Sequence, residues 1–455
     1  MITLTLKEIA EALNARLVGD DVSVSAVSTD TRKIQSECLF IALRGERFDA
    51  HDFIDSAISN GAKAVLVSQP LDITLPQLIV EDTRIALGRL GAYVRAKLKV
   101  ITVAITGSNG KTSVKEMLAT ILKQSHQVLY TAGNFNNDIG APLTLLRLSE
   151  NDQYGVFELG ANHKGEIDYT SALVKPHVAL VNNVGEAHIE GFGSIDDVAI
   201  AKSEIYQHLT DNGIAIINAD DAYAEHFKAV AQKHKQLCFG IKNDADVKAT
   251  DISANKLGQY QFTLCYQEQR EQVLLPLNGK HHVYNALAAA SMAIALGLSL
   301  ADIVSGLHQV STVSGRMQPH QIEHVQLIDD SYNANPSSVR VAIDWLRLQQ
   351  GEQMLVLGDF SELGMNTEKL HREIGEYAKI NNISEVMTLG DKSQATSEQF
   401  GGKHFTQLQA LVDAIQAKIN QQQTAMTILV KGSRSAAMER VVNAIKSAYE
   451  RGEWK

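Results

Sequence analysis

Residues 105–113 read Ile-Thr-Gly-Ser-Asn-Gly-Lys-Thr-Ser, between an apolar β-branched run (residues 100–106) and the helical text SVKEMLATILK. The run has no polar alternation, so it predicts a strand buried on both faces. A glycine-bearing turn from such a strand into a helix is the setting that a phosphate-binding loop needs. Gly107 and Gly110 let the chain bend so that successive N–H groups point at phosphate oxygens, with Ser108, Asn109 and Ser113 counted among the residues of the nucleotide site. Lys111 supplies a cation for the β/γ-phosphates and Thr112 a hydroxyl for Mg²⁺. The usual signature has a further glycine at the position of Ile105, so this is a compact G-x-x-G-K-T variant. A Gly-rich turn with an incidental lysine is the alternative. The flanking elements favour ATP or GTP use.

The same strand–helix alternation continues through VLYT, YGVFELG, HVALVNNV and GIAIINAD, each followed by helical text, which predicts a parallel sheet flanked by helices. Residues 246–277 turn to short strands without helices, and the Ala-rich helix NALAAASMAIALG follows. Before this region, Thr5-Leu6-Lys7-Glu8 matches a capping box and opens a unit ending near Asp82. After it, STVSGR (311–316) is small, polar and aperiodic, and alternation then resumes from QLIDDSY onward. The expected class is α/β with three domains. A small α/β N-terminal domain spans 1–82, a central P-loop parallel-sheet ATPase domain 83–313, and a C-terminal doubly wound, Rossmann-like domain 314–455.

The length of 455 residues accords with about three domains. A formal charge of −10 leaves no basic excess for nucleic-acid binding by phosphate neutralisation. Three scattered cysteines (Cys38, Cys238, Cys265) form no disulfide framework or zinc site, which fits a reducing cytoplasm. The first residues lack a signal-peptide pattern, and there is no run of about 18 apolar residues for a membrane span.

Several polar clusters follow strands, at the carboxyl ends that face the ligand crevice of such sheets. Glu158 ends YGVFE and reads as a Mg²⁺ ligand or a solvated acid. His188 reads as a metal ligand or a solvated loop histidine. Lys202, on SIDDVAIAKSEIYQHL, reads by spacing as a surface lysine. In the loop Gly133–Asp138, which contains Asn134 and Asn137, Asp138 is the expected N-cap. His281, His282 and Asn285 open the Ala-rich helix, and Arg316 sits in the inferred linker. The octet DDSYNANP, with Asp330, is denser in hydrogen-bonding groups than a turn requires. Lys431 and Arg434 flank Gly-Ser after MTILV and read as an anion site or exposed charges.

Taken in order, STDTRKI, LFIALRGERFDAHDF, TGSNGKTSVKEM, NNDIGAPLTLL, ELGANHKGEI, AHIEGFGS, DDSYNANP, LGDFSELG and LVKGSRSAAME resemble the Mur ligases along essentially the whole chain. The resemblance implies ATP-dependent amide formation through an acyl phosphate in the cytoplasm. The motifs of the third domain point to the branch that joins D-Ala-D-Ala to UDP-MurNAc-tripeptide, with those two as its small-molecule partners and a monomer as its form. It also implies that Thr112, Glu158, His188 and a carbamylated Lys202 hold Mg²⁺, these last three forming the catalytic set with Lys111. Asn285 would contact adenine, Arg316 a phosphate and Asp330 the ribose. Ser28, Thr31, Arg32, Asp49 and His51 would hold the UDP end of the substrate, and Asn134 and Asn137 would reach its sugar–peptide part. Where relatives commonly read G-[RK]-H-N, this chain has Gly279-Lys280-His281-His282.

Two competing readings are a sister ligase, such as a folylpolyglutamate synthetase, and a non-catalytic nucleotide sensor. The UDP-type segment and KGSR oppose the first; retention of Lys111, Glu158, Lys202 and Arg316 opposes the second. Because the phosphate loop and Asp330 lie on opposite sides of the linker, one nucleotide can touch both only if the domains approach. An open resting state that closes about Gly315 is therefore expected.

Overall fold

The computed structural model describes all residues except 46–47, 187–188, 256–257, 422–423 and 453–455. Three large sheets follow one another along the chain. The first has five strands in the order Arg16–Val18, Gln77–Ile79, Ala64–Val67, Cys38–Ile41, Ala26–Ser28, parallel except at the Arg16–Val18 edge. Thr5 caps the helix Leu6–Leu13 by accepting from the Glu8 N–H at 3.2 Å. The Glu8 carboxylate instead accepts from Tyr93 Oη at 2.8 Å and pairs with Lys97. Tertiary partners on the helix Thr83–Lys97 have thus recruited half of the predicted capping box.

The central sheet has nine strands, with Ile101–Thr106 between Val178–Val181 and Tyr154–Glu158. Its alternating side chains enter two cores. Val103 and Ile105 pack with the helices Lys111–Lys123 and His281–Ala295, and Ala104 packs on the opposite face. Residues 246–277 are strands without helices, as read, but the strands are long rather than short. They build Val247–Ala254, parallel to Lys235–Gly240, and then two antiparallel strands, Gln259–Tyr266 and Gln269–Asn278, that extend the same sheet.

The third sheet has six strands. Gln318–Ile322 forms an antiparallel edge beside Val325–Asp330, and parallel strands Met426–Lys431, Glu352–Gly358, Glu385–Leu389 and Lys403–Phe405 follow. Leu355 and Leu357 serve one core of this unit, Met354 and Val356 the other. Gly315 is not a loose hinge. It sits at φ +71, its carbonyl accepts from Tyr332 N–H at 3.0 Å, and an added Cβ would meet Tyr332 at 3.1 Å. Glycine is needed there for both backbone sign and space. Among the described residues, no helix is long and apolar enough to cross a membrane.

Candidate active site

The carboxyl ends of the central and third sheets face each other across a cleft of about 610 Å³. Gly110 makes the turn from strand to helix at φ +80, where a Cβ would lie 2.4 Å from Asn285 Oδ1 and 2.6 Å from Asn182 Nδ2. The loop is held from behind: Asn182 Nδ2 and Asn183 Nδ2 donate to the Asn109 carbonyl at 2.9 and 3.0 Å. Lys111 curls back so that Nζ donates to the Gly107 carbonyl at 2.6 Å. Burial, and then the like charge of Arg316, lower its pKa, with Glu158 opposing.

Thr112 Oγ1 donates to Glu158 Oε2 at 2.8 Å and accepts from Arg316 Nη2 at 2.9 Å. Asn136 Nδ2 donates to Glu158 Oε1 at 2.8 Å. The Arg316 guanidinium also lies 4.4 Å from the centre of the Tyr332 ring, within cation–π range. Asp330 ends its strand with Oδ1 accepting from Met317 N–H at 3.2 Å and Oδ2 from Lys431 Nζ at 2.5 Å. Lys431 is therefore neutralised and buried, and Arg434 Nη2 donates to Glu439 at 2.9 Å. Lys431 and Arg434, read as an anion site or exposed charges, both line the cleft and are each ion-paired, Lys431 with Asp330 and the exposed Arg434 with Glu439.

Ser108, Asn109, Gly110, Lys111, Thr112, Ser113, Asn134, Asn137, Glu158, Asn285, Arg316 and Asp330 all line this cleft. Gly107 lies at the loop entry. His188 lies outside the described residues. The N-cap position of the helix Gly140–Leu145 is Ile139, not Asp138; Asn137 Oδ1 accepts from Gly140 N–H at 2.8 Å, while Asp138 is drawn away to pair with Arg84. His281 is half-buried and His282 buried in the cleft wall. Burial lowers both, His281 to about 4, so both rings are neutral. His282 Nδ1 faces Asn285 Nδ2 at 3.4 Å.

Lys202 is not a surface lysine. It is 1% exposed on the helix Ile195–Ser203, with its ammonium 5.8 Å from the Phe192 ring centre. Burial, and then the charge of Lys111, push its pKa well below the ordinary lysine value. Lys202 stands four residues after the fully buried Val198, hence on the same helix face. That spacing was the available signal, overridden by the expectation that lysines are solvated. The roles of Asn136 and Tyr332 were missed. Asn136 lies between Asn134 and Asn137, which the resemblance assigned to the substrate, but nothing in its spacing links it to Glu158.

The five first-domain candidates cluster apart from this cleft. Ser28 Oγ donates to the Asp30 carbonyl at 2.8 Å, the Thr31 carbonyl accepts from Asn60 Nδ2 at 3.1 Å, and Arg32 lies exposed against Asp30 in a two-bond pair. His51 is a structural bridge. Its Nε2 accepts from Ser68 N–H at 2.9 Å, so Nδ1 carries the proton and donates to Asp49 at 2.5 Å. Desolvation raises the Asp49 pKa, but the bonds from His51 and Arg44 outweigh it and bring it to about 2. His51→Ala should leave Ser68 N–H without its acceptor and remove one of the bonds to Asp49, which keeps Arg44, and cost about 1–3 kcal/mol of stability. Urea unfolding checks this, and an unchanged midpoint would remove the bridge role.

The cleft can hold a chain of phosphates on the loop, with positive charge on both walls and a hydroxyl–carboxylate pair for a hard cation. Family models match this chain at residues 23–126 (Mur ligase family, catalytic domain), 105–293 (Mur ligase middle domain) and 315–434 (Mur ligase, glutamate ligase domain). The chain is 50% identical over 449 residues to the UDP-N-acetylmuramoyl-tripeptide–D-alanyl-D-alanine ligase of Escherichia coli K12, covering 98% of this chain and 99% of that one. It is similar to a crystal structure of MurF from Acinetobacter baumannii, with TM-score 0.94, 38% identity and coverage of 98% and 99%. It also resembles MurF ligase from Thermotoga maritima in complex with ADP, with TM-score 0.84, 25% identity and coverage of 94% and 98%. A Mycobacterium tuberculosis folylpolyglutamate synthase, at 15% identity and TM-score 0.65, shares the fold alone. Family models in sequence order and end-to-end identity to a relative of matching length lead to one conclusion: the chain belongs to the Mur ligase family.

Proposed function

We propose that this ligase joins the amine of D-alanyl-D-alanine to the terminal carboxyl of UDP-N-acetylmuramoyl-tripeptide, converting ATP to ADP and phosphate and yielding the pentapeptide precursor of peptidoglycan. The observation that carries this reading is the 50% identity, over 98% of the chain, to a ligase named for that reaction. The peptide carboxylate attacks the γ-phosphate to form an acyl phosphate, and the dipeptide amine then displaces phosphate from the carbonyl. One chain supplies both walls of the cleft, which supports a monomer as the working form, acting in the cytoplasm where ATP is available.

Two anions must meet in the first step, so charge neutralisation and positioning carry the catalysis. Lys111 leaves the Gly107 carbonyl and turns to the β- and γ-phosphates. Arg316 adds a cation beside the linker; its buried Nε has no partner among the described residues, which leaves a donor for phosphate. Asp330 keeps lone pairs for the ribose hydroxyls, since a carboxylate accepts up to about four hydrogen bonds. Asn285 contacts adenine. Ser28, Thr31, Arg32, Asp49 and His51 hold the uridine diphosphate, and Asn134 and Asn137 reach the sugar–peptide part.

Thr112, Glu158 and a carbamylated Lys202 would hold Mg²⁺, with His188 as a further ligand. The donor set fits a hard cation: Thr112 and Glu158 present oxygens 2.8 Å apart. Among the described residues no group of three His, Cys, Asp or Glu forms a closed cage, as suits an ion held by one or two carboxylates together with phosphates. Bound there, the ion would offset the charge developing on the transferred phosphate. Burial and then the charge of Lys111 lower the Lys202 pKa, a shift toward the uncharged amine that carbamylation by CO₂ requires.

Phosphate release measured with ATP, Mg²⁺ and UDP-MurNAc-tripeptide tests the reading. Turnover is expected only when D-Ala-D-Ala is added. Equal release with single amino acids would reassign the chain to a sister ligase, and no amine-dependent release at all would remove the reaction.

A further inference from the structure

The third domain reaches the phosphate loop through the start of the helix Pro336–Leu346. Asn335 Nδ2 donates to Asn109 Oδ1 at 2.8 Å, Asn109 Nδ2 donates to Ser337 Oγ at 3.0 Å, and Ser337 Oγ donates to Asn335 Oδ1 at 2.8 Å. Three side chains from two domains thus form a closed ring of hydrogen bonds. Asn109 belongs to the loop itself, and its backbone is already tied to the central sheet: its N–H donates to Asn183 Oδ1 at 2.8 Å. One turn along the helix, Arg340 crosses the same boundary and pairs with Glu186 at 3.0 Å. The domains are therefore in contact at the phosphate loop.

We propose that Asn335 and Ser337 are positioning residues that clasp the Asn109 side chain, so that closure of the third domain stiffens the phosphate loop in its nucleotide-holding shape. The side-chain amide of Asn109 has its oxygen and its nitrogen each engaged by the third domain, so opening strips both bonds at once. Because each ring member serves both others, losing one weakens the remaining bonds as well. Asn335 is itself held rigidly. Its Oδ1 accepts from Ser338 N–H at 2.8 Å, and Ser338 Oγ accepts from Asn335 N–H at 3.1 Å, a capping box that Pro336 stiffens. Nucleotide on the loop and closure of the domain then favour each other, which is the reciprocity expected of linked equilibria.

The inference rests on the ligase reading only in taking ATP as the nucleotide, so the test uses nucleotide binding and no acceptor. Affinity for a β,γ-imido ATP analogue with Mg²⁺ is measured by calorimetry for the unaltered chain, Asn109→Ala, Ser337→Ala and the double variant. Ser337→Ala leaves the Asn335–Ser338 cap intact, and Asn109→Ser serves if Asn109→Ala does not fold. Ser337→Ala is expected to bind about tenfold more weakly. The double variant should bind no more weakly than Asn109→Ala alone, and small-angle scattering should show a larger radius of gyration for the analogue-bound variants than for the unaltered complex. Losses that simply add, unaltered affinity in Ser337→Ala, or an unchanged radius of gyration would each overturn the clasp. Phosphate release driven by D-Ala-D-Ala is a separate measurement, so failure of the reaction and failure of the clasp are told apart.

Discussion

Lys111→Ala should leave a folded protein whose turnover falls by about two to three orders of magnitude, the usual loss when one preorganised charge is removed from a developing anion. The backbone N–H groups of the loop remain in the variant, so the nucleotide still finds its place. The fold has no need of this ammonium. Its one strong contact is the Gly107 carbonyl at 2.6 Å, and burial works against its charge. Circular dichroism should therefore be unchanged while the rate of D-Ala-D-Ala-dependent phosphate release collapses. A folded Lys111→Ala protein with near-normal kcat would sink the phosphate-loop assignment.

Lys202 leads to an equally large effect by a different route. If it works as a carbamate, Lys202→Ala should lose about two to three orders of magnitude in kcat, and formate or acetate diffusing into the vacated space should restore part of it. Stability should move the other way from activity. A lysine whose folded pKa lies below its unfolded value binds fewer protons when folded, so stability rises with pH through the window between the two values. The penalty is fully present below the folded pKa and vanishes above the unfolded one. Lys202→Met keeps the length without the charge, and near neutral pH it should melt no lower than the unaltered chain in bicarbonate-free buffer. An active Lys202→Ala enzyme in CO₂-free buffer would end the carbamate idea.

Much of the site was legible because its parts are local. The run to Thr106, the two glycines and the helix from Lys111 could be read directly, and the DDSYNANP octet stood out for its density. What was not legible follows one pattern. Glu8 was expected to complete a capping box, but Tyr93 offered a tertiary partner 85 residues away. Asp138 was expected to cap a helix, yet Arg84 took it and left the Gly140 N–H to Asn137. In each case a polar side chain with two possible partners chose the distant one, because a buried or half-buried charge gains more from a fixed ionic partner than from a backbone group.

The sequence by itself determined the strand–turn–helix units, the positions of the phosphate loop and linker, and the three-sheet plan. These follow from steric limits and periodicities that act over a few residues. Only the tertiary structure decided which groups meet. Thr112 and Glu158 are 46 residues apart, Arg316 and Thr112 are 204 apart, and Asn335 and Asn109 are 226 apart. No spacing rule reaches across such distances. Thr112 and Glu158 meet because the strand Ile101–Thr106 lies beside Tyr154–Glu158 in the sheet order. The other two pairs form because the third domain meets the carboxyl ends of the central strands through polar side chains, Arg316 on Thr112, Asn335 and Ser337 on Asn109, and Arg340 on Glu186, and pairings between such distant residues leave no local mark in the chain.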